Sequence, residues 1–439
     1  MMNNELKPYE EYKKTGLFWI NEIPVDWEWQ FLSQACKEKC QKNSMCTKNN
    51  VLSLSYGQII RKKNKDFGLV PKEYGNYQIV KQGDIILRLT DLQNDKRSLR
   101  TGLVKETGII TSAYTCLYTK NNSSSYIHYL LHAYDLKKVF YGMGGGVRQS
   151  IGYEDIRKLK LPIPPRPEQD QIAKYLDYKL AKINKFIKAE KRKLELVREL
   201  IDGELERILK FDDISCCRLK NIADSVGKEV KRVSEKEYIP IGLYNRGRGI
   251  FHKPSTLGAD LGDSIFFEVG DDYLVFSGQF AWEGAVAVTN SEDIGCIASH
   301  RYPMIKGKAN VVTSKFLWAF FVSKYGNHLL NLYSRGAAGR NRPLNIDHLL
   351  KEKIPVPLIE NQARITRLVE EYQVIRKEIS KYTDLMTEYK ATLISDVVTG
   401  KVDVRHIEVD EPEEEIIAET DFEDISLDED AGEVEESED

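Results

Sequence analysis

Residues 161–169 read LPIPPRPEQ, and residues 354–362 read IPVPLIENQ. Pro162, Pro164, Gln169 and Ile172 return as Pro355, Pro357, Gln362 and Ile365 at a constant offset of 193, and Gly146 returns as Gly339. The chain is therefore an internal duplication. In each copy a glycine and arginine stretch comes first: GMGGGVRQSIGYEDI from residue 142, RGAAGRNRPLNIDHL from residue 335. Proline fixes φ and lacks an N–H, so each cluster reads as an extended stretch that cannot continue a helix. The spacing predicts a helix launched at Glu168 and another at Asn361.

Both runs carry a heptad pattern. Leu180, Ile187, Leu194, Ile201 and Ile208 recur every seven residues, with Leu176, Ile183 and Val197 at a second position. In the second run Ile365, Tyr372, Ile379, Met386 and Leu393 do so, joined by Leu368, Ile375, Tyr382 and Tyr389. This is a coiled-coil seam, matched between copies at an offset of 192. Glu190 interrupts the first seam, and Arg376 and Lys377 crowd the second, which favours two helices pairing with each other over a long homomeric coil. Helices of about 40 residues span on the order of 60 Å, nearly two turns of duplex DNA, and are expected to act as a ruler.

Around the helices lie two regions rich in short β-type runs, among them residues 83–89, 102–104, 109–117, 273–276 and 285–289. Helical stretches near residues 126–140 and 315–333 close each region. The expected fold class is α+β: mixed α/β domains at 1–165 and 212–357, and two long helices at 166–211 and 358–407 pairing as an antiparallel coiled coil. A tail at 408–439 is expected to be disordered.

Charge divides the chain more sharply than its net value of −3 indicates. The tail holds 18 Asp and Glu and no Lys or Arg, which leaves 64 basic against 49 acidic residues in positions 1–407. A basic body suits a polyanionic partner. No segment approaches the roughly 20 apolar residues of a membrane span, and the charged start MMNNELKPYEEYKKTG is unlike a signal peptide. A soluble, cytoplasmic protein is expected. Seven cysteines without a C-x-x-C pair argue against a metal or disulfide framework and for buried reduced thiols. His128 and His132 have helical ligand spacing, but HYLLH lacks the glutamate of a zinc protease and reads as an ordinary helix face.

The repeated unit, a Gly/Arg loop, P-x-P before E/N-Q, and a heptad helix ending in ATLISDVVTGKVDVR, resembles the specificity (S) subunit of type I restriction-modification systems. IPVDWEWQFLSQAC and CRLKNIADS resemble the lead-ins to that family's two target recognition domains, and the likeness extends from Trp19 to Arg405. The acidic tail departs from the family pattern. The resemblance implies a non-catalytic reader of double-stranded DNA, each domain recognising half of a bipartite asymmetric site. Two modification subunits would supply S-adenosylmethionine and adenine methylation, and restriction subunits would supply ATP- and magnesium-dependent cleavage. The chain itself contains neither an N/D-P-P-Y/F motif nor a G-x-x-x-x-G-K-S/T loop, so no cofactor is expected on it. A self-contained enzyme would need a catalytic constellation that the sequence does not offer, and a scaffold would not explain the basic body.

Candidate DNA contacts come from basic and polar loops. Arg61, Lys62, Lys63 and Lys65 suit phosphates, while Arg88, Gln93, Asn94, Arg97 and Arg100 suit base edges. Arg148 lies in the first Gly/Arg stretch. In the second domain the set is Tyr244, Asn245, Arg246, Arg248 and Lys253, then Gln279 with Trp282, then Arg301, Arg335, Arg340, Asn341 and Arg342.

Overall fold

The computed structural model describes residues 6–410 apart from 47–49, 56, 63–73, 91, 93–98, 144–149, 211–213 and 337–341. The acidic tail beyond residue 410 lies outside the described residues.

In the first copy, strand β1 (Glu28–Phe31) runs through a one-turn helix, Leu32–Ala35, into β2 (Cys36–Lys39). Strands β3 (Ile85–Leu87), β4 (Thr101–Leu103) and β5 (Thr115–Thr119) follow, then helix α1 (Ser124–Leu136), β6 (Lys160–Ile163) and the 43-residue helix α2 (Arg166–Ile208). The second copy opens with β7 (Ser215–Arg218), a one-turn helix, Leu219–Ile222, and β8 (Ala223–Ser225). It continues with β9 (Leu274–Phe276), β10 (Val286–Val288), β11 (Met304–Gly307), helices α3 (Ser314–Val322) and α4 (Lys324–Tyr333), β12 (Lys353–Val356) and the 40-residue helix α5 (Ile359–Val398). The antiparallel sheet β2-β5-β3-β4 recurs as β8-β11-β9-β10. Both lead-in sequences thus form the same strand, turn of helix and strand.

The proline stretches are strands that close their own domains. β6 pairs with β1, setting Pro162 opposite Trp29, and β12 pairs with β7, setting Pro355 opposite Cys216. Each pair is an isolated two-stranded ribbon, where a missing N–H on one edge is tolerated. The helices begin at Arg166 and Ile359, two residues ahead of the expected starts. Pro167 fits there because first-turn N–H groups have no intrahelical acceptor. Gln169 and Gln362 then turn back into the protein, only 2% and 0% exposed. Gln169 accepts from the Ser123 amide (2.8 Å) and donates to the Pro164 carbonyl (2.9 Å) and Asn122 (3.1 Å). Gln362 accepts from the Thr313 amide (2.9 Å) and donates to the carbonyls of Pro357 (2.9 Å) and Val311 (3.0 Å). The repeated glutamine therefore locks the residue capping α1 or α3 to the start of the long helix.

Two compact units result: described residues up to Lys188 with those from Tyr382 onward, and Ala189–Lys381. Each contains one domain and a portion of both long helices. In the first unit Trp27, Tyr126, Tyr134, Phe140, Ile172 and Leu176 share a core with Leu393, Ile394, Val397 and Val398 of α5. Both ends of the described chain meet here. A hairpin of Tyr12–Leu17 and Ile20–Pro24 lies in this unit, Lys7 bridges to Asp403, and Gln171 donates to the carbonyls of Val404 (3.0 Å) and Ile407 (2.6 Å). Glu168 accepts from the Tyr9 hydroxyl (2.6 Å) and the Trp27 indole N–H (3.0 Å). Gly400 ends α5 in the left-handed region, φ +77°, with Pro24 where a Cβ would sit.

In the second unit Ile201, Leu205 and Ile208 of α2 and Ile365, Val369 and Tyr372 of α5 share a core with Phe276, Phe316, Trp318 and Phe321. The helices run antiparallel: Arg198 faces Tyr372, and Glu204 reaches Arg364. Not all of the seam is covered, since Tyr382 and Tyr389 are about half exposed at 50% and 44%. Two further expectations change in detail. Residues 109–117 divide into Gly108–Ile110 and β5, and residues 315–333 into α3 and α4. Ser323 separates the helices, its hydroxyl bonded to the Phe320 carbonyl at 2.6 Å.

Candidate nucleic-acid interface

The β3–β4 and β9–β10 connections occupy the same place in the two domains. In the first, the Arg88 amide donates to the Arg100 carbonyl (2.8 Å), and the Ile151 amide to the Leu89 carbonyl (3.0 Å). In the second, the Ser277 amide donates to the Ala285 carbonyl (2.9 Å), and the Leu344 amide to the Gly278 carbonyl (2.7 Å). Ile151 and Leu344 are 193 residues apart, so the duplication fastens the end of each Gly/Arg stretch to its own hairpin connection.

Around the second connection most described candidates of that domain converge. The Gly278 amide donates to the Arg301 carbonyl (2.6 Å), an approach that leaves no room for a Cβ. The Arg342 guanidinium lies 4.6 Å from the Trp282 ring centre, and Asn331 donates to the Trp282 carbonyl (3.0 Å). Amides of Arg246 and Gly247 donate to the carbonyls of Glu283 (2.9 Å) and Gly284 (2.7 Å). Arg246, Arg301, Arg335 and Arg342 are exposed, and Gln279 is half-buried. Such a face, with several guanidinium groups beside an aromatic ring, can neutralise phosphates and present forked donors to base edges. Lys253 follows the strand Ile250–His252, its amide bonded to the Pro240 carbonyl.

Burial corrects two expectations. Arg100 is 0% exposed. Its guanidinium donates to the Arg88 and Thr90 carbonyls (3.2 and 2.9 Å) and the Tyr141 hydroxyl (3.1 Å), while its amide donates to Asp135 (2.8 Å). It braces the β3–β4 connection from inside, because a buried guanidinium requires such partners. Asn245 is also buried, its amide nitrogen bonded to the Glu283 carboxylate. Both residues shape the face rather than line it. Sequence reasoning missed Asp135, Tyr141 and Glu283, for which the only local signal was proximity to an arginine-rich loop.

Arg61 is exposed and pairs through two nitrogens with Glu106, whose carboxyl is held below its usual range by that guanidinium. Lys62 beside it is exposed, and Arg88 is half-buried. Lys63, Lys65, Gln93, Asn94, Arg97, Arg148, Arg340 and Asn341 lie outside the described residues, as do Gly146 and Gly339.

Burial pushes His128 and His132 down to about 3 and about 4, and the charges of Lys105 near His128 and Lys390 near His132 act the same way. Cys36, Cys116 and Cys296 are buried, with Cys36 pushed up to about 12 by burial, whereas Cys40, Cys46 and Cys216 are exposed, contrary to the expectation of uniformly buried thiols. Among the described residues no group of three or more His, Cys, Asp or Glu is placed to hold a metal, and no helix is long and apolar enough to cross a membrane.

Residues 24–196 match the type I restriction modification DNA specificity domain. A chain from a solved type I restriction-modification system, described for its complex assembly and conformational transition, superposes with a TM-score of 0.51 at 12% identity, covering 86% of this chain and 99% of that one. The HsdS subunit of Thermoanaerobacter tengcongensis gives 0.39 at 13% identity over 86% and 98%. The S subunit of M. genitalium gives 0.47 at 13% over 87% and 97%. No curated protein matches the chain by sequence. The likeness to the type I restriction modification DNA specificity domain thus extends over residues 24–196, and the likeness of fold to a chain of a solved type I system over 86% of the chain.

Proposed function

We propose that the chain is the non-catalytic reader of a bipartite, asymmetric DNA site, one half read by each domain, and that it positions partner subunits on that site in the cytoplasm. Two modification subunits carry S-adenosylmethionine and methylate adenine, and restriction subunits bring ATP- and magnesium-dependent cleavage. The observation that carries this reading is the duplicated hairpin connection. One backbone arrangement presents Arg88 in the first domain and Gln279, Trp282, Arg301 and Arg342 in the second. A common platform with different side chains suits two unlike half-sites. The matched DNA specificity domain and the likeness to a chain of a solved restriction-modification assembly support the partner assignment.

The test is a map of methylated adenines in cells carrying the chain with a modification subunit, compared with cells lacking only this chain. The expected result is one motif of two unlike halves that disappears with the chain. A methylation pattern independent of the chain overturns the reading.

A further inference from the structure

Arg376 and Lys377 break the apolar pattern of α5, and the second unit shows where they go. Lys377 pairs with Glu292, and Gln373 donates to the Val288 carbonyl (3.3 Å). Arg376, between them, donates through Nη1 to the Arg248 carbonyl. This face of α5 is turned toward the second domain, and one of its side chains holds the backbone of the loop that carries two candidate DNA contacts.

That loop, residues 244–249, has an unusual backbone. Arg246, Gly247 and Gly249 all have positive φ, at 58°, 67° and 100°. The left-handed region is unfavourable for an L side chain, and arginine occupies it only where surrounding contacts over-determine the conformation. Those contacts come from three directions. The hairpin connection supplies the carbonyls of Glu283 and Gly284, the Tyr244 amide closes the loop onto the Gly249 carbonyl (3.0 Å), and α5 supplies the Arg376 guanidinium.

The glycines mark where helices approach. A Cβ on Gly249 would lie 2.4 Å from the Arg376 guanidinium carbon. A Cβ on Gly247 would lie 2.6 Å from Val322 and 3.2 Å from Arg198 of α2. Arg198 itself donates to the Val322 carbonyl (3.2 Å) and stacks 4.8 Å from the Trp318 ring centre. In the RGRG sequence of residues 246–249, each glycine thus lies at a helix contact and follows an arginine on the same turn. Arg246 is exposed, and Arg248 leans over Tyr244 with its Nε on the Asn245 carbonyl (3.0 Å).

We propose that Arg376 is a positioning residue for DNA reading: from helix α5 it fixes the backbone of loop 244–249, and thereby the aim of Arg246 and Arg248 at the half-site read by the second domain. This rests on the DNA-reading function proposed above. The complex of the full chain with its modification subunit is the material for the test, read by competition binding to duplexes randomised in one half-site at a time. If the wild-type complex selects no sequence, the function itself fails. If it selects two half-sites, R376Q is expected to lose about tenfold of its discrimination in one half and none in the other, with R376K intermediate.

A double-mutant cycle separates positioning from direct DNA contact. When Arg376 acts through the loop, adding R376Q to the R246A/R248A variant costs no further discrimination; a further loss shows an independent role and overturns the proposal. R376M, which keeps the aliphatic stem and removes the hydrogen bond to the Arg248 carbonyl, is expected to reproduce R376Q and decides the matter if R376Q does not fold. Unchanged discrimination in both variants, or equal losses in both half-sites, also overturns the proposal.

Discussion

Gln169 in one unit and Gln362 in the other make matching hydrogen bonds, yet the residues before them have parted: Glu168 gathers Tyr9 and Trp27, and Asn361 stands in its place in the second copy. In the first unit Glu168 ties the segment around Tyr9 and Trp27 to the start of α2, as a buried acceptor for two aromatic donors. Among the described residues the second unit is Ala189–Lys381. Its helix face, through Gln373, Arg376 and Lys377, holds loops of its own domain. At the seam offset of 192 from Arg376 stands Asn184, which accepts from Lys390 of the paired helix at 3.1 Å. A duplicated plan therefore keeps what builds each domain and diverges in what each helix portion must hold.

Domain exchange is the strongest test of the shared plan. Residues 40–157 lie between β2 and β6, so replacing them with the equivalent segment of another specificity subunit keeps the closing strand pair β1–β6 and the one-turn helix after β1. We expect one half of the methylated site to change completely and the other to persist. A map in which both halves change would refute modular reading.

The divergence predicts a one-sided effect. Trp27 is fully buried and its indole serves Glu168, so W27A should cost about 3–5 kcal/mol. Hydrogen exchange resolved by segment should show the loss in the first unit alone, and equal loss in both units would show that their stabilities are coupled. By contrast, Q169L and Q362L should be matched. Q169L strands an amide and a carbonyl and Q362L an amide and two carbonyls, at about 2–4 kcal/mol each. Costs differing by more than about 2 kcal/mol would show that the two clamps are not equivalent.

The smallest effect is on acid stability. The imidazoles of buried His128 and half-buried His132 stay neutral far below the ordinary histidine range, with values of about 3 and about 4. The unfolded chain takes up protons as pH falls through about 6.5 while the folded chain does not, so this contribution is intact above that pH and erodes on acidification. Between pH 7 and 5.5 the loss is about 1 kcal/mol for each histidine. Helix α3, which corresponds to α1, has no histidine. Exchange protection should therefore fall more in the first unit than in the second, and H128Q with H132Q should reduce the difference; an identical pH dependence in the double variant would remove the histidines as its cause.

The duplication, the two long helices and most strands were legible because they rest on local signals, an offset of 193 and repeats of seven or two residues. Both helix starts moved by two residues, in α2 because proline is tolerated in a first turn, whereas the first turn of α5 holds no proline. The candidate interface was only half legible. Composition located arginine-rich loops in both copies, and structure shows that the β3–β4 and β9–β10 connections are equivalent places. It could not separate the buried Arg100 from the exposed Arg301, since residue type states that a charge is present and not whether Tyr141 and two carbonyls enclose it.

By itself, then, the sequence determined a two-fold repeat of α+β domain and helix, a basic body and the loops where arginines gather. Only tertiary structure decided the division of each long helix between two units, the enclosure of Arg100 and Asn245, and the grip of Arg376 on a loop 128 residues earlier. The physical reason is range. Periodicity records which face of an element is apolar, but a hydrogen bond to a distant carbonyl depends on where two remote segments come to rest, and no local pattern stores that position.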